Sequence, residues 1–113
     1  MADEAVTEKQ FEVAADKELN TLLRALEDAL DETVEVDLQS GILTLEFSDR
    51  TKYVINSHRA ARQIWMAAER TAWHFDYRTS DSAWVTPGKG EELWATIEAV
   101  VSRKLGRPIT LRG

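Results

Sequence analysis

The sequence predicts an α+β two-layer sandwich, with two helices packed on one face of an antiparallel sheet. Two observations predict it. Apolar residues recur with the period of a helix at both ends of the chain and with period two in between. The resulting order is helix, run of antiparallel strands, helix, which covers one face of a sheet and leaves the other open to water. At 113 residues and 43% hydrophobic content the chain has the size and composition of a single domain, residues 1–113, with a core of its own.

The first helix opens at Thr7-Glu8-Lys9-Gln10, which has the form of a capping box. Phe11, Ala15, Leu19, Leu22, Leu26 and then Ala29 or Leu30 follow as one helical stripe, with no Gly or Pro until well past residue 30. The period then changes. Val34, Val36 and Leu38 alternate with Glu35 and Asp37, and Leu43, Leu45 and Phe47 alternate with Thr44 and Glu46. The link Gln39-Ser40-Gly41 between them predicts a hairpin, with Gly41 free to take positive φ. Ser48-Asp49-Arg50 is a second turn and Thr51–Ile55 a third strand. Gln63–Ala67, Trp73–Arg78 and a short piece at Trp84-Val85 complete the sheet. Leu93, Trp94, Ile97, Val100, Val101 and Leu105 form the second helical stripe, closed by Gly106 with Lys104 in the last turn and Pro108 beyond.

Charge narrows the function classes. Lys and Arg number 14 against 20 Asp and Glu, a net charge of −6. Twelve of the acids but only three of the bases lie in residues 1–37, so that third carries −9 and the remainder +3. An acidic chain is a poor binder of nucleic acid phosphates. Without cysteine there is no disulfide, zinc–thiolate site, cysteine-ligated cluster or cysteine nucleophile. No apolar run is long enough to span a membrane. The start MADEAVTEKQF lacks the features of a signal or transit peptide. The expected setting is therefore cytoplasmic, or the mitochondrial matrix if a presequence has been removed.

Two surfaces carry chemistry. On a helical wheel Glu12, Asp16, Glu27 and Asp31 share a flank of about 100°, with Asp28 and Glu32 beyond it. Glu35 and Asp37 point off the solvent side of the first strand. Glu12–Asp16, Glu27–Asp31 and Asp28–Glu32 would be like-charge pairs that cost a helix ~0.2–0.5 kcal/mol each. Such a surface is either a solvated face or a site for hard cations or a basic partner, and without imidazoles it would hold metal weakly. It contains no EF-hand loop. The second surface is the open sheet face. If Ile64 and Met66 face the core, Gln63 and Trp65 face water, with Asn56 near them; the reverse register would bury Trp65. His74 alternates with Trp73 and Phe75 and falls on the face opposite those aromatics. Residues 50–78 hold six bases (Arg50, Lys52, Arg59, Arg62, Arg70 and Arg78), which suggests a basic sheet side beside an acidic helix edge. No Ser-His-Asp set, Walker loop or dinucleotide-binding glycine loop is present.

Tyr53-Val54-Ile55-Asn56, six residues, then Gln63-Ile64-Trp65-Met66 resembles the signature of the frataxin family. Trp73-His74-Phe75-Asp76, Trp84, the Ser40–Leu45 hairpin and the helix start at 90–94 resemble its bacterial, CyaY-type form. The likeness runs from about Phe11 to Gly106. It implies the frataxin fold, α-β(5–7)-α. It implies an iron-binding protein of iron–sulfur cluster assembly, a regulator or iron-delivery partner of the cysteine desulfurase–scaffold complex. By position, Glu12, Asp16, Glu27, Asp28, Glu35 and Asp37 match the acidic ridge of that family. The metal-binding set is then these six with Asp31 and Glu32. Asn56, Gln63 and Trp65 match its partner-contacting sheet residues, which places Trp65 in water, and His74 joins them. The expected ligands are Fe²⁺ and Fe³⁺ held weakly at the surface, with no tightly bound cofactor. The expected partners are the desulfurase and the scaffold protein, with no nucleic acid and no membrane. The expected state is a monomer at rest that iron could drive to oligomers. No enzyme is expected, at most a weak ferroxidase. The alternatives are a metal-independent acidic adaptor and, behind it, an iron oxidase or storage protein. The chain departs from the family at His58 and Ala60, where a Gln and a Pro are usual, and at Thr71-Ala72, in place of a Gly-Gly turn. It departs also at Leu23-Arg24, where acids are common, and by one extra residue near Pro87–Gly90.

Overall fold

The computed structural model describes residues 6–111; Asp3 and Glu4 of the acidic N-terminal third lie outside them. The elements are α1 (Glu8–Ala29), β1 (Glu35–Gln39), β2 (Ile42–Glu46), β3 (Lys52–His58), β4 (Gln63–Ala68), β5 (Thr71–Arg78), β6 (Ala83–Val85) and α2 (Leu93–Leu105). The strands form one antiparallel sheet in sequence order, β1 to β6. This is the α+β sandwich that the periodicity predicts.

Helix α1 starts where the capping box places it. The Thr7 hydroxyl accepts from the Gln10 N–H at 3.1 Å and the Thr7 N–H donates back to the Gln10 side chain at 3.0 Å. Phe11, Ala15, Leu19, Leu22 and Leu26 are buried. From α2, Leu93, Trp94, Ile97, Val100 and Val101 join them against the sheet residues Leu43, Leu45, Tyr53, Ile55, Ile64, Met66, Phe75 and Trp84. Helix α2 is capped by Glu92, whose carboxylate accepts from the Trp94 and Ala95 N–H groups at 3.0 Å each. It ends at Gly106 with φ 70°.

The end of α1 corrects the sequence reading. The helix stops at Ala29, and Leu30 turns extended so that its side chain can enter the core. Asp31 then closes a local turn by accepting from the Thr33 N–H at 3.0 Å and its hydroxyl at 2.5 Å. Asp31 and Glu32 therefore stand on a connection. Of the three like-charge pairs expected, only Glu12–Asp16 lies wholly within the helix.

Of two hairpins, the β1–β2 one is as expected and the β4–β5 one is not. Ser40 and Gly41 both have positive φ, as a two-residue hairpin turn requires. A Cβ at Gly41 would approach the Ser57 Oγ to 2.6 Å. The β4–β5 turn is Glu69-Arg70, with φ 54° and 72°. Thr71 and Ala72 are not a turn at all but the first residues of β5, paired with Ala68 and Ala67. Two non-glycine residues in the left-handed region are strained. The Glu69 carboxylate is anchored there: it accepts from the Tyr53 hydroxyl at 2.8 Å and from Arg103 on α2 at 2.6 Å. Next to it, Lys104 donates to Asp49 in the β2–β3 turn at 2.6 Å. The last turn of α2 is thereby tied to two sheet turns.

The Arg103 and Tyr53 hydrogen bonds hold the Glu69 carboxyl below its ordinary value, and those from Lys104 and Thr51 do the same to Asp49. A depressed carboxylate contributes stability that is present above its unfolded value, about pH 4, and is lost as pH falls through the lower folded one. Glu69→Gln is expected to lower the urea midpoint at neutral pH. It is also expected to make the further loss between about pH 5 and pH 3 shallower than in the wild type. Parallel curves for the two proteins over that range would show that Glu69 does not contribute as described.

Candidate functional site

Alternation sorts the sheet side chains. On the open face the register aligns Ile42, Asn56, Trp65 and His74 in one row across β2 to β5. The adjacent row is His58, Gln63 and Asp76. All four residues expected to contact partners are thus brought into one patch. Trp65 does not stand free in water as expected. Its indole is half-buried between two imidazoles, His58 at 3.7 Å and His74 at 4.2 Å between centroids, within 13° of parallel. The Trp65 Nε1–H donates to the Gln63 side chain at 2.8 Å, and Gln63 donates to Asp76 at 2.8 Å. His58 Nδ1 accepts from the Ala61 N–H at 3.3 Å. The result is a flat, pre-ordered surface in which indole, imidazole and amide groups hold one another in place. Ile42, 47% exposed, extends it towards β2.

Sequence reasoning missed His58 and Asp76 as members of this patch. His58 stands at the end of a strand that was expected to stop at Ile55. Extending β3 by three residues, in phase with Asn56, is the signal that would have found it.

The basic sheet side is not present. Of the six bases in 50–78, only Lys52 and Arg78 lie on open-face positions, and Arg78 is paired with Asp81 at 2.7 Å. Arg50, Arg59, Arg62 and Arg70 occupy the connections at the two ends of the sheet. The same face carries Glu35, Asp37, Glu46 and Asp76, so it is acidic rather than basic.

The eight expected metal ligands fall into separate groups. Glu12 and Asp16 flank a shallow groove between α1 and the β1–β2 turn, lined also by Val13, Gly41 and Ser57. Glu12 is engaged there by Arg59 at 2.9 Å. Glu27 lies on the same flank of α1 by helical phase, but fifteen residues, ~22 Å, from Glu12. Asp28 faces elsewhere: it lines a groove with Lys17, Thr21, Trp94 and Leu111 on the α2 side. Asp31 is held by Thr33, whose hydrogen bonds lower its pKa, and stands 3.8 Å from Arg107. Glu32 is exposed on the same connection. Glu35 and Asp37 lie on β1, where Glu35 is directly opposite Glu46. Glu46 was not foreseen, although counting back from a two-residue turn reaches it. Among the described residues, no three His, Cys, Asp or Glu side chains come together closely enough to enclose a metal ion. The carboxylates are scattered, mostly exposed charges.

A frataxin-like domain model matches residues 4–107 of the chain. The chain is 38% identical over 110 residues to the iron-sulfur cluster assembly protein CyaY of Ralstonia nicotianae, covering 94% of this chain and 95% of that one. It is 34% identical to the protein of the same name from Cupriavidus metallidurans, covering 95% and 97%. Among solved structures, a frataxin from Psychromonas ingrahamii superposes with a TM-score of 0.84 at 23% identity, over 96% of this chain and all of that one. The trimeric frataxin of Saccharomyces cerevisiae gives 0.69 at 28%, over 93% and 84%. No described helix is long and apolar enough to cross a membrane.

The two tryptophans on opposite faces give a direct check of the geometry. Trp84 is 1% exposed and packs on Phe11 and Tyr77. Trp84→Ala is expected to cost ~3–5 kcal/mol in urea unfolding. Trp65→Ala is expected to cost only ~1–2 kcal/mol, the worth of its ring contacts and one hydrogen bond. Equal costs would contradict the assignment of Trp65 to the open face.

Proposed function

The chain belongs to the frataxin-like family, and we propose on that premise that it acts in iron–sulfur cluster assembly. In this reading it is a non-catalytic protein that carries Fe²⁺ or Fe³⁺ loosely on its acidic surface. It docks, through the same acids and through the Trp65 patch, on the cysteine desulfurase–scaffold complex. The names of the curated relatives support the pathway. The observation that carries the rest is the set of scattered, unenclosed carboxylates together with a pre-ordered aromatic patch. Single carboxylate oxygens in water bind hard cations weakly and release them quickly. An acidic surface also speeds encounter with a basic partner. The patch would supply the specific contact, with Trp65 as its anchor.

A second reading, a metal-independent adaptor, is favoured by one observation. Arg59 already occupies Glu12, and Thr33 with Arg107 occupies Asp31, so at least these acids have cationic or hydrogen-bonding partners in the protein itself. Asp16 also accepts from the Asn20 side chain at 3.4 Å, a third such partner. In that case the acids serve docking alone.

The test neutralises Asp16, Glu27, Glu35 and Asp37, which leaves the Glu12 and Asp31 contacts intact. With Fe²⁺ added anaerobically, amide signals of the wild type are expected to broaden around residues 12–37. In the variant Asp16→Asn, Glu27→Gln, Glu35→Gln, Asp37→Asn the fold should persist and iron binding should weaken by about tenfold or more, since each exposed charge contributes ~1 kcal/mol. Unchanged iron binding in the variant would overturn the carrier role. Desulfurase binding that weakens with salt but is indifferent to chelator would establish the adaptor instead.

A further inference from the structure

A sheet of six strands has two edges, and the two are built differently. The β6 edge is three residues long, and its Val85 is bridged to Glu92. The β1 edge is five residues long and, among the described residues, has no strand beyond it. Its register runs from Gln39↔Ile42 back to Glu35↔Glu46, closed by the two-residue turn Ser40-Gly41. In such a hairpin the closing pair exchanges both hydrogen bonds, and the ladder then alternates. Gln39, Asp37 and Glu35 therefore aim their backbone groups at β2, while Val36 and Leu38 aim theirs outward. Among the described residues neither Val36 nor Leu38 has a backbone or side-chain hydrogen-bond partner on that side. The edge presents two donors and two acceptors at strand spacing.

The side chains indicate what would fit. Val36 and Leu38 pack against the core but remain only half-buried, whereas their neighbours Leu43 and Leu45 on β2 are 0% exposed. The core thus stops short at this edge. On the other face, Glu35 and Asp37 are exposed, and Glu46 adds a third carboxylate opposite Glu35. A second copy of the chain pairing edge to edge would set these acids against their own kind, which charged edges serve to prevent.

We propose that the β1 edge is a docking site for an extended partner segment that adds a seventh strand. Its side chains would alternate basic and apolar. The basic ones would lie over Glu35 and Asp37, and the apolar ones would cover Val36 and Leu38. Main-chain hydrogen bonds supply affinity and the alternating side chains supply specificity. This extends the docking half of the proposed function to a binding mode and uses nothing of its iron half.

The test uses the whole protein in chelator with the peptide acetyl-Lys-Val-Lys-Val-Lys-Val-Lys-amide, and as control a peptide of the same composition with lysines and valines in separate blocks. Binding of the alternating peptide is expected to shift the amide signals of residues 34–39. It should slow hydrogen exchange at Val36 and Leu38 by about tenfold or more, as newly formed strand bonds do. Leu38→Pro removes one outward donor without touching the β2 ladder and should weaken binding by about tenfold. If Leu38→Pro fails to fold, the alternating peptide with its valine amides N-methylated replaces it and should not bind. Equal binding of the block peptide, or unchanged exchange at Val36 and Leu38, would overturn the proposal in favour of simple charge attraction. No binding of either peptide would overturn it outright. Concentration-dependent self-association abolished by Leu38→Pro would overturn it in favour of a second copy. Because chelator is present throughout, none of these failures touches the iron reading.

Discussion

A sheet covered on one face only must keep its register, and the whole arrangement of the open face depends on that constraint. Slipping any strand by one residue would bring its solvent side chains to the core. For β1 that would bury Glu35 and Asp37, and for β4 it would exchange Ile64 and Met66 for Gln63 and Trp65. Burying an unpaired carboxylate is far more costly than the few kcal/mol that separate folded from unfolded chains. The charged and polar residues of the open face thus hold the register by being impossible to bury. The same register places Asn56, Trp65 and His74 in one row, and Glu35 opposite Glu46. The surface that specifies the fold is also the one on which the proposed docking rests.

The strained β4–β5 turn is held by residues distant in sequence. Glu69-Arg70 would be a poor choice for a two-residue hairpin on local grounds, since neither residue favours positive φ. It survives because Glu69 is fixed by Tyr53 from β3 and by Arg103 from α2. Arg103 and Lys104 also complement the negative end of the helix they belong to. One set of charges therefore caps α2, docks it on the sheet and holds the β4–β5 turn. The Trp65 row and the clamp lie at different places on the molecule: the clamp gathers at the turns beside the last turn of α2, and the row crosses the open face of the sheet. Substitutions in one need not disturb the other.

What could be read from the sequence follows the range of the physics. Helix stripes, the capping box at Thr7 and Gln10, the glycine hairpin and the inward phase of β1 and β2 are local patterns, and the structure repeats them. The end of α1 was misplaced because the signal there is a short side-chain turn, Asp31 to Thr33, and not a Gly or Pro. The β4–β5 turn was misplaced because its compensation comes from Arg103, thirty-four positions away. The sites are legible to the same extent. Which residues share the open face follows from alternation. That Trp65 is sandwiched by His58 and His74 does not, because stacking depends on rotamers across three strands. Nor does the loss of the basic sheet side, since a count of charges over a segment does not distinguish strand positions from connections.

Within the proposed function, the distribution of acids suits transfer better than storage or chemistry. A store or an oxidase must hold its ion long enough to nucleate or react, which takes several ligands converging on one point. Here the helix spaces Glu12 and Glu27 by ~22 Å, Asp28 turns to the other side of α1, and Glu12 and Asp31 are engaged by the chain's own residues. Each remaining carboxylate offers an ion one or two oxygens and full access to water. Binding of that kind is weak per site, fast to reverse and sensitive to salt. Those properties would hinder retention, and they suit a surface whose charge is to be exchanged for the basic side chains of a partner.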